Sequence, residues 1–261
     1  MSAGLFPFQP AMKRSWDHAR ALAATNSGAH DSATGDAIIV DEHSYHSPEW
    51  FVSQASRFDA YPRCGAGVYF GEYSANGYFA GQPQTEQGAN TWKSALGEAA
   101  FLTGCERNSD VVRMTSYAPL LAHILAKGWA QNLIEFNPAH VNPTVNYEVE
   151  RLFSTHLGDT TYAVSIEQTA SRPAKHLYVS ATGHDGDDVC RYIKIVNTSD
   201  SPVDVTLEIA RGLAGLGASP SRPVRLEVTT LSASPTAKTT IGYRGEASGA
   251  IVPERRAYTL P

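Results

Sequence analysis

The sequence predicts an α/β portion over residues 1–157 followed by an all-β portion, an antiparallel β-sandwich, over residues 158–261. Three observations carry this reading. Residues 37–125 alternate strand, helix, strand, helix, strand. Past about residue 158 the chain turns to short β-branched and aromatic segments punctuated by Gly, Pro, Asp and Ser. With 261 residues, 42% of them hydrophobic and 18% charged, it is long enough to bury a large core in one or two domains.

The first ~35 residues carry little pattern. Residues 12–24 (MKRSWDHARALAA) are expected as a short helix, because Trp16, Ala19 and Leu22 recur at three-residue steps. TNSGAHDSATGD reads as turns. Ala37–Val40 is a short apolar strand that runs directly into DEHSYHSPEW. SPEWFVSQASRF then starts a helix, with Ser47 as N-cap and Pro48 at the first helical position. A second strand, Val68 to Phe70, ends in Gly71-Glu72-Tyr73 and is followed by the polar loop YFAGQPQTEQGAN. TWKSALGEAAFLTGCERN is the clearest helix, with Trp92, Leu96, Ala99, Ala100 and Leu102 near helical spacing. VVRMTSYAPLL is the third strand. This rhythm implies parallel strands with right-handed crossovers, in either a doubly wound sheet or part of a (β/α)8 barrel. Polar residues sit at each strand's C-terminal end, where a barrel carries its active site. In the all-β portion, TTYAVSIEQ, HLYVSATG, CRYIKIVNTS, VDVTLEIAR, VRLEVTTLSA and RAYTLP are expected as strands, and GLAGLGASPSRP as a loop.

Composition removes several function classes. The net charge is −5 and no basic stripe occurs, so nucleic acid is not an expected partner. No apolar run reaches the ~18 residues a membrane span needs. The start, MSAGLFPFQPAMKR, has no continuous apolar stretch of signal-peptide type. The three cysteines, Cys64, Cys105 and Cys190, are odd in number and form no CxxC pair. Together these point to a cytoplasmic, reducing setting. His30, His43 and His46 lack metal-ligand spacing, so neither a metal nor another cofactor is expected. No G-x-S-x-G elbow or phosphate-binding loop is present.

Glu72 is the sharpest candidate. It ends a strand expected to be buried on both faces, beside a glycine that removes bulk, where a carboxylate would face a barrel mouth. Glycoside hydrolysis uses two carboxylates, about 5–5.5 Å apart for retention or about 6.5–9.5 Å for inversion. The alternative is a solvated loop glutamate. In Asp41-Glu42-His43-Ser44-Tyr45, alternate residues share a face, so Asp41, His43 and Tyr45 would point one way. A His and a Tyr beside a carboxylate hold it ionised by hydrogen bonding. The competing reading is a capped turn with a packed core histidine. Trp129, in AKGWAQNLIEFN, would stack on a sugar face or pack between domains. Gln131 and Asn132 are candidates for binding hydroxyls.

IIVDEHSYHSPEWF, VYFGEYSANG, ALGEAAFLTGCERNSDVVRMTSYAPLL and GWAQNLIEFN, in this order, resemble the catalytic domain of family 51 α-L-arabinofuranosidases. The resemblance is dense over about residues 36–157 and architectural beyond 158. It implies that residues 1–157 are the late strands of a (β/α)8 TIM barrel and residues 158–261 the family's C-terminal β-sandwich. It also implies that Glu72 is the nucleophile, with His43 and Tyr45 near it and Trp129 after the last barrel strand. The implied activity is release of terminal α-L-arabinofuranose from arabinofuranosyl-containing glycans with retained configuration. The family's acid/base glutamate follows an asparagine, and this sequence contains no Asn-Glu pair. Only ~155 residues precede the sandwich, against about 250 for a closed barrel. The expectation is therefore a fragment without the acid/base glutamate, barely active alone, whose open strand edges favour homo-oligomers. The competing function is a non-catalytic carbohydrate-binding or structural relative.

Overall fold

The computed structural model describes residues 39–63, 66–76, 88–167, 176–184, 190–209 and 224–260. The helix expected over 12–24, most of the YFAGQPQTEQGAN loop and the GLAGLGASPSRP loop lie outside them.

Strand β1 (Ile39–His46), helix α1 (Pro48–Ser53), strand β2 (Gly67–Ala75), helix α2 (Trp92–Arg107) and strand β3 (Val112–Tyr117) follow the expected alternation. The three strands form one parallel sheet in the order β1-β2-β3. Both helices start where their sequences can satisfy free backbone N–H groups. Ser47 Oγ accepts from Trp50 N at 3.3 Å, and Thr91 Oγ1 accepts from Ser94 N at 3.3 Å. Helix α2 is buried almost all round, because it lies between α1 and the sheet and also meets the β-rich portion. Its small residues permit this. A Cβ on Gly104 would overlap the Ala55 carbonyl, so the two backbones touch directly. An aromatic cluster fills the space between helices and sheet: Phe101 meets Phe70 at 4.9 Å and Phe51 at 5.5 Å between centroids.

The third predicted strand is broken. It ends at Tyr117, and Leu121–His123 (β4) joins a second sheet with β5 (Ile134–Phe136) and β6 (Val141–Pro143), ordered β4-β5-β6. Pro119 lacks an N–H and cannot extend the ladder. Its carbonyl accepts instead from Leu133 N at 3.0 Å. Helix α3 (Val145–Thr155) is an element the sequence reading missed. Its signal is Thr144 as N-cap, accepting from Tyr147 N at 3.4 Å, ahead of Val145, Val149, Leu152 and Phe153 at helical spacing.

Beyond residue 158 the pairing is antiparallel. Strands β7 (Thr160–Thr161), β8 (Leu177–His184) and β9 (Cys190–Asn197) form one sheet, and β10 (Val224–Thr230) pairs with β13 (Glu254–Leu260). A short ribbon joins β11 (Thr240–Ile241) to β12 (Ala247–Ser248). No helix occurs among the described residues of 176–260. Two expected strands differ. TTYAVSIEQ contributes only β7, and residues 203–209 have no ladder partner among the described residues, where Val203, Val205, Leu207 and Ile209 are exposed. The alternation in VDVTLEI is real, but period-2 alternation sets which face a side chain takes, not whether a neighbouring strand exists. No helix among the described residues is long and apolar enough to cross a membrane.

Candidate active site

Parallel pairing of β1 and β2 places His43 opposite Glu72 and Ser44 opposite Tyr73. The register slips just before this point: Glu42 pairs with Phe70 and His43 with Glu72, so Gly71 is an extra residue on β2. Such a bulge re-aims the side chain that follows it. A Cβ on residue 71 would overlap Asp41 Oδ1, so only glycine leaves room for that carboxylate.

Glu72 sits within a set of polar contacts. Tyr45 donates its hydroxyl to Glu72 Oε2 at 2.5 Å. His43 Nδ1 lies at ion-pair distance from the same oxygen, 3.4 Å. On the other side of the ring, His43 Nε2 is 3.1 Å from Asp41 Oδ2. Among the described residues, Glu72 Oε1 has no hydrogen-bond partner. The side chains of His43 and Glu72 are each 43% exposed, so the pair opens to solvent. Tyr45 is only 5% exposed. Burial, and then the Glu72 carboxylate it bonds, push its hydroxyl well above the usual tyrosine range, so it remains a donor at neutral pH. Trp129 tilts over the Tyr45 ring, with centroids 4.8 Å apart. The four residues singled out from the sequence, His43, Tyr45, Glu72 and Trp129, thus come together at the C-terminal ends of β1 and β2. Glu42 turns the other way and pairs with Arg57 at 2.5 Å, as strand alternation requires.

The Trp129 loop is held from behind. Asn132 Nδ2 donates to Trp129 O at 3.0 Å, and Asn132 N donates to Asn90 Oδ1 at 3.0 Å. Asn90 has a positive φ of 53° and spends its amide on Tyr117 Oη and Asn146 Oδ1, each at 3.2 Å. Gln131 accepts from Asn76. The expectation that Gln131 or Asn132 binds hydroxyls is corrected here: they are 1% and 2% exposed and are spent on loop architecture. Asn90 was missed. Its signal is an Asn in a turn before a helix, the non-glycine residue most at ease with left-handed backbone.

Two more carboxyls, also missed, lie beneath the site. Glu98 Oε1 accepts from Ala75 N at 2.7 Å, and its Oε2 accepts from Asn146 at 2.6 Å. Tyr73 donates to Glu150 Oε1 at 2.6 Å. Burial, reinforced by Glu150, raises Glu98 to about 8. Burial raises Glu150 to about 7, against a smaller lowering by the Tyr73 hydrogen bond. A glutamate inside a run such as GEAAF carries no mark in one sequence that it is buried rather than solvated.

The model of the alpha-L-arabinofuranosidase C-terminal domain family matches residues 67–254. A Streptomyces chartreusis protein named extracellular exo-alpha-L-arabinofuranosidase is 39% identical over 181 residues, covering 63% of this chain and 20% of that protein. Alpha-L-arabinofuranosidase 1 of Arabidopsis thaliana is 30% identical over 192 residues, covering 73% of this chain and 26% of that protein. The chain therefore spans about a fifth to a quarter of the curated relatives it matches. Among solved structures, an arabinose-bound GH51 α-L-arabinofuranosidase superposes with a TM-score of 0.61 at 26% identity, over 85% of this chain and 35% of that one. An arabinose complex of the Thermotoga maritima α-L-arabinofuranosidase, at 15% identity and a TM-score of 0.58, shares the fold over 85% of this chain and 50% of that one. The extracellular placement in the Streptomyces name overturns the cytoplasmic expectation. That expectation leaned on unpaired thiols, and a buried thiol such as Cys105 packs as a small apolar side chain in either compartment.

Proposed function

This chain belongs to the α-L-arabinofuranosidases of family 51, as a portion carrying their C-terminal domain, and we propose that it supplies the nucleophile side of a retaining site for terminal α-L-arabinofuranosyl residues of arabinose-containing glycans. The observation that carries this reading is the environment of Glu72: one carboxylate oxygen held by Tyr45 and facing His43, the other unengaged among the described residues. A nucleophile needs such an arrangement. The held oxygen fixes the plane of the carboxylate. Oε1 is then free to attack the anomeric carbon and form a glycosyl-enzyme ester. Trp129, tilted on Tyr45, offers an apolar edge to the sugar ring.

Of the other carboxylates near β1 and β2 in the sequence, Asp41 is taken up by His43 and Glu42 by Arg57. Asp36 and Glu86 lie outside the described residues. We assign the acid/base group to a segment of a longer protein, or to a partner chain. The span of only 20–26% of the curated relatives supports this. In the same reading β1, β2 and β3 are an arc of a (β/α)8 barrel reaching to residue 157. The antiparallel sheets beyond 158 then make up a sandwich, and the protein acts outside the cell, as the Streptomyces relative's name says of that protein.

The test is hydrolysis of an aryl α-L-arabinofuranoside. A good leaving group needs the acid least, yet general acid help alone is typically worth ~10²–10⁴-fold. The 261 residues alone are expected to turn over barely or not at all. A full-length protein is expected to be active and to lose that activity with Glu72→Gln. A 2-deoxy-2-fluoro arabinofuranosyl substrate should leave a covalent adduct on Glu72, visible by peptide mass spectrometry. Full activity of Glu72→Gln would remove Glu72 from the nucleophile role.

A further inference from the structure

His43 stands between two carboxylates, Asp41 at 3.1 Å from Nε2 and Glu72 at 3.4 Å from Nδ1. An ionised carboxylate only accepts. The contact with Asp41 therefore places a proton on Nε2, and Nε2–H donates to Asp41 Oδ2. This leaves Nδ1 as the atom presented to Glu72 Oε2.

We propose that Asp41 is a positioning residue that fixes the ring orientation and tautomer of His43 against Glu72, and that Gly71 is the device that admits it. The proposal rests on the nucleophile reading of Glu72 for its catalytic consequence, though its structural content stands apart from it. Two independent features support it. Asp41 lies two residues before His43 on β1, so both side chains share one side of the strand. The space its carboxylate fills exists because β2 bulges at Gly71 and that residue has no Cβ. The charged groups facing the ring are Asp41 from β1 and Glu72 from β2. Without Asp41 the imidazole can flip about χ2 or take the other tautomer, and either change withdraws the ordered Nδ1 from Glu72.

The experiment has two arms. In the full chain labelled with ¹⁵N at the histidine rings, the His43 signals are assigned by their loss in His43→Gln. The unsubstituted chain should show the proton on Nε2. Asp41→Asn keeps a neutral acceptor and should retain that pattern. Asp41→Ala removes the acceptor and should shift the ring toward a mixture. Asp41 is 56% exposed on its side chain, so its truncation leaves folding intact. Gly71→Ala should reproduce the Asp41→Ala spectrum by evicting the carboxylate, and the double variant should add nothing further. Identical His43 signals in the unsubstituted chain and Asp41→Ala overturn the proposal. In a full-length active protein, Asp41→Ala should lower kcat about tenfold with KM nearly unchanged, and Asp41→Asn should recover most of the loss. An unchanged kcat also overturns it. A shifted ring signal together with an inert Glu72→Gln substitution would instead remove the nucleophile reading and leave the Asp41–His43 pairing standing.

Discussion

The Tyr45 hydroxyl donates to the carboxylate proposed to do the chemistry. Hydrogen bonds to charged groups are worth ~1.5–3 kcal/mol net. If this bond serves the transition state, Tyr45→Phe in a full-length enzyme is expected to lower kcat/KM about 10- to 150-fold, the same energy read as a rate. The thermal midpoint should move little, because the ring still fills its place against Trp129. Steady-state kinetics beside a melting curve checks this, and an unaltered kcat/KM would mean that the hydroxyl only packs. At this scale the sequence was informative where chemistry and spacing coincide. Asp41, His43 and Tyr45 alternate on one strand, and Glu72 follows a glycine, so their convergence could be read before any coordinates. Asn90 and Glu98 could not be found this way. Their roles depend on partners 42 and 48 residues away in the chain, and no local pattern encodes such a partner.

At the scale of elements, the packing of α1 on α2 depends on backbone contact at Gly104, where a Cβ would overlap the Ala55 carbonyl. Gly104→Ala ought to gain helix propensity, since Gly costs ~1 kcal/mol against Ala in a helix interior. Overpacking is expected to outweigh this, for a net destabilisation of ~1–3 kcal/mol. Urea unfolding of the single variant gives the sign, and a stabilised protein would show that α1 can move aside. The alternation β1-α1-β2-α2-β3 was legible because parallel strands and crossover helices have different periods. The end of β3 was misjudged because SYAPLL reads as one apolar run, and its proline decides where the ladder stops. Helix α3 escaped notice because it follows three-residue strands, too short to set a rhythm. Residues 203–209 show the converse case, a strand-like alternation without a ladder partner among the described residues.

Across the whole molecule, the two carboxyls buried beneath the site set an expected pH dependence of stability. Glu98 and Glu150 are raised to about 8 and about 7 in the folded protein, from an unfolded value of about 4.3. The folded chain therefore holds these protons more tightly than the unfolded chain. Their contribution to stability is complete below the unfolded value and is lost as pH rises through 7 and 8. The slope is at most about 1.4 kcal/mol per pH unit for each proton of difference. The urea midpoint should fall between pH 5.5 and pH 8.5, and Glu98→Gln should flatten that fall. A midpoint that rises over this range, in the unsubstituted chain and in Glu98→Gln alike, would mean that other groups control stability here.

Helix α2 carries this influence in both directions along the chain. Near its middle, Glu98 grips the last residue of the strand that bears Glu72. Two turns on, Glu106 accepts from Ser180 at 2.5 Å and pairs with Lys194, which also donates to the His156 carbonyl at 2.6 Å. The same rigid rod therefore docks the strand that bears Glu72 and the antiparallel sheet. This bears on how such proteins recombine. A hybrid joined at residue 158, with the β-rich half taken from a distant relative, would inherit one side of a lock and not the other. A working exchange would have to move Glu106, Ser180 and Lys194 as a set, so the unit that travels between relatives begins inside the helix and not at the loop after it.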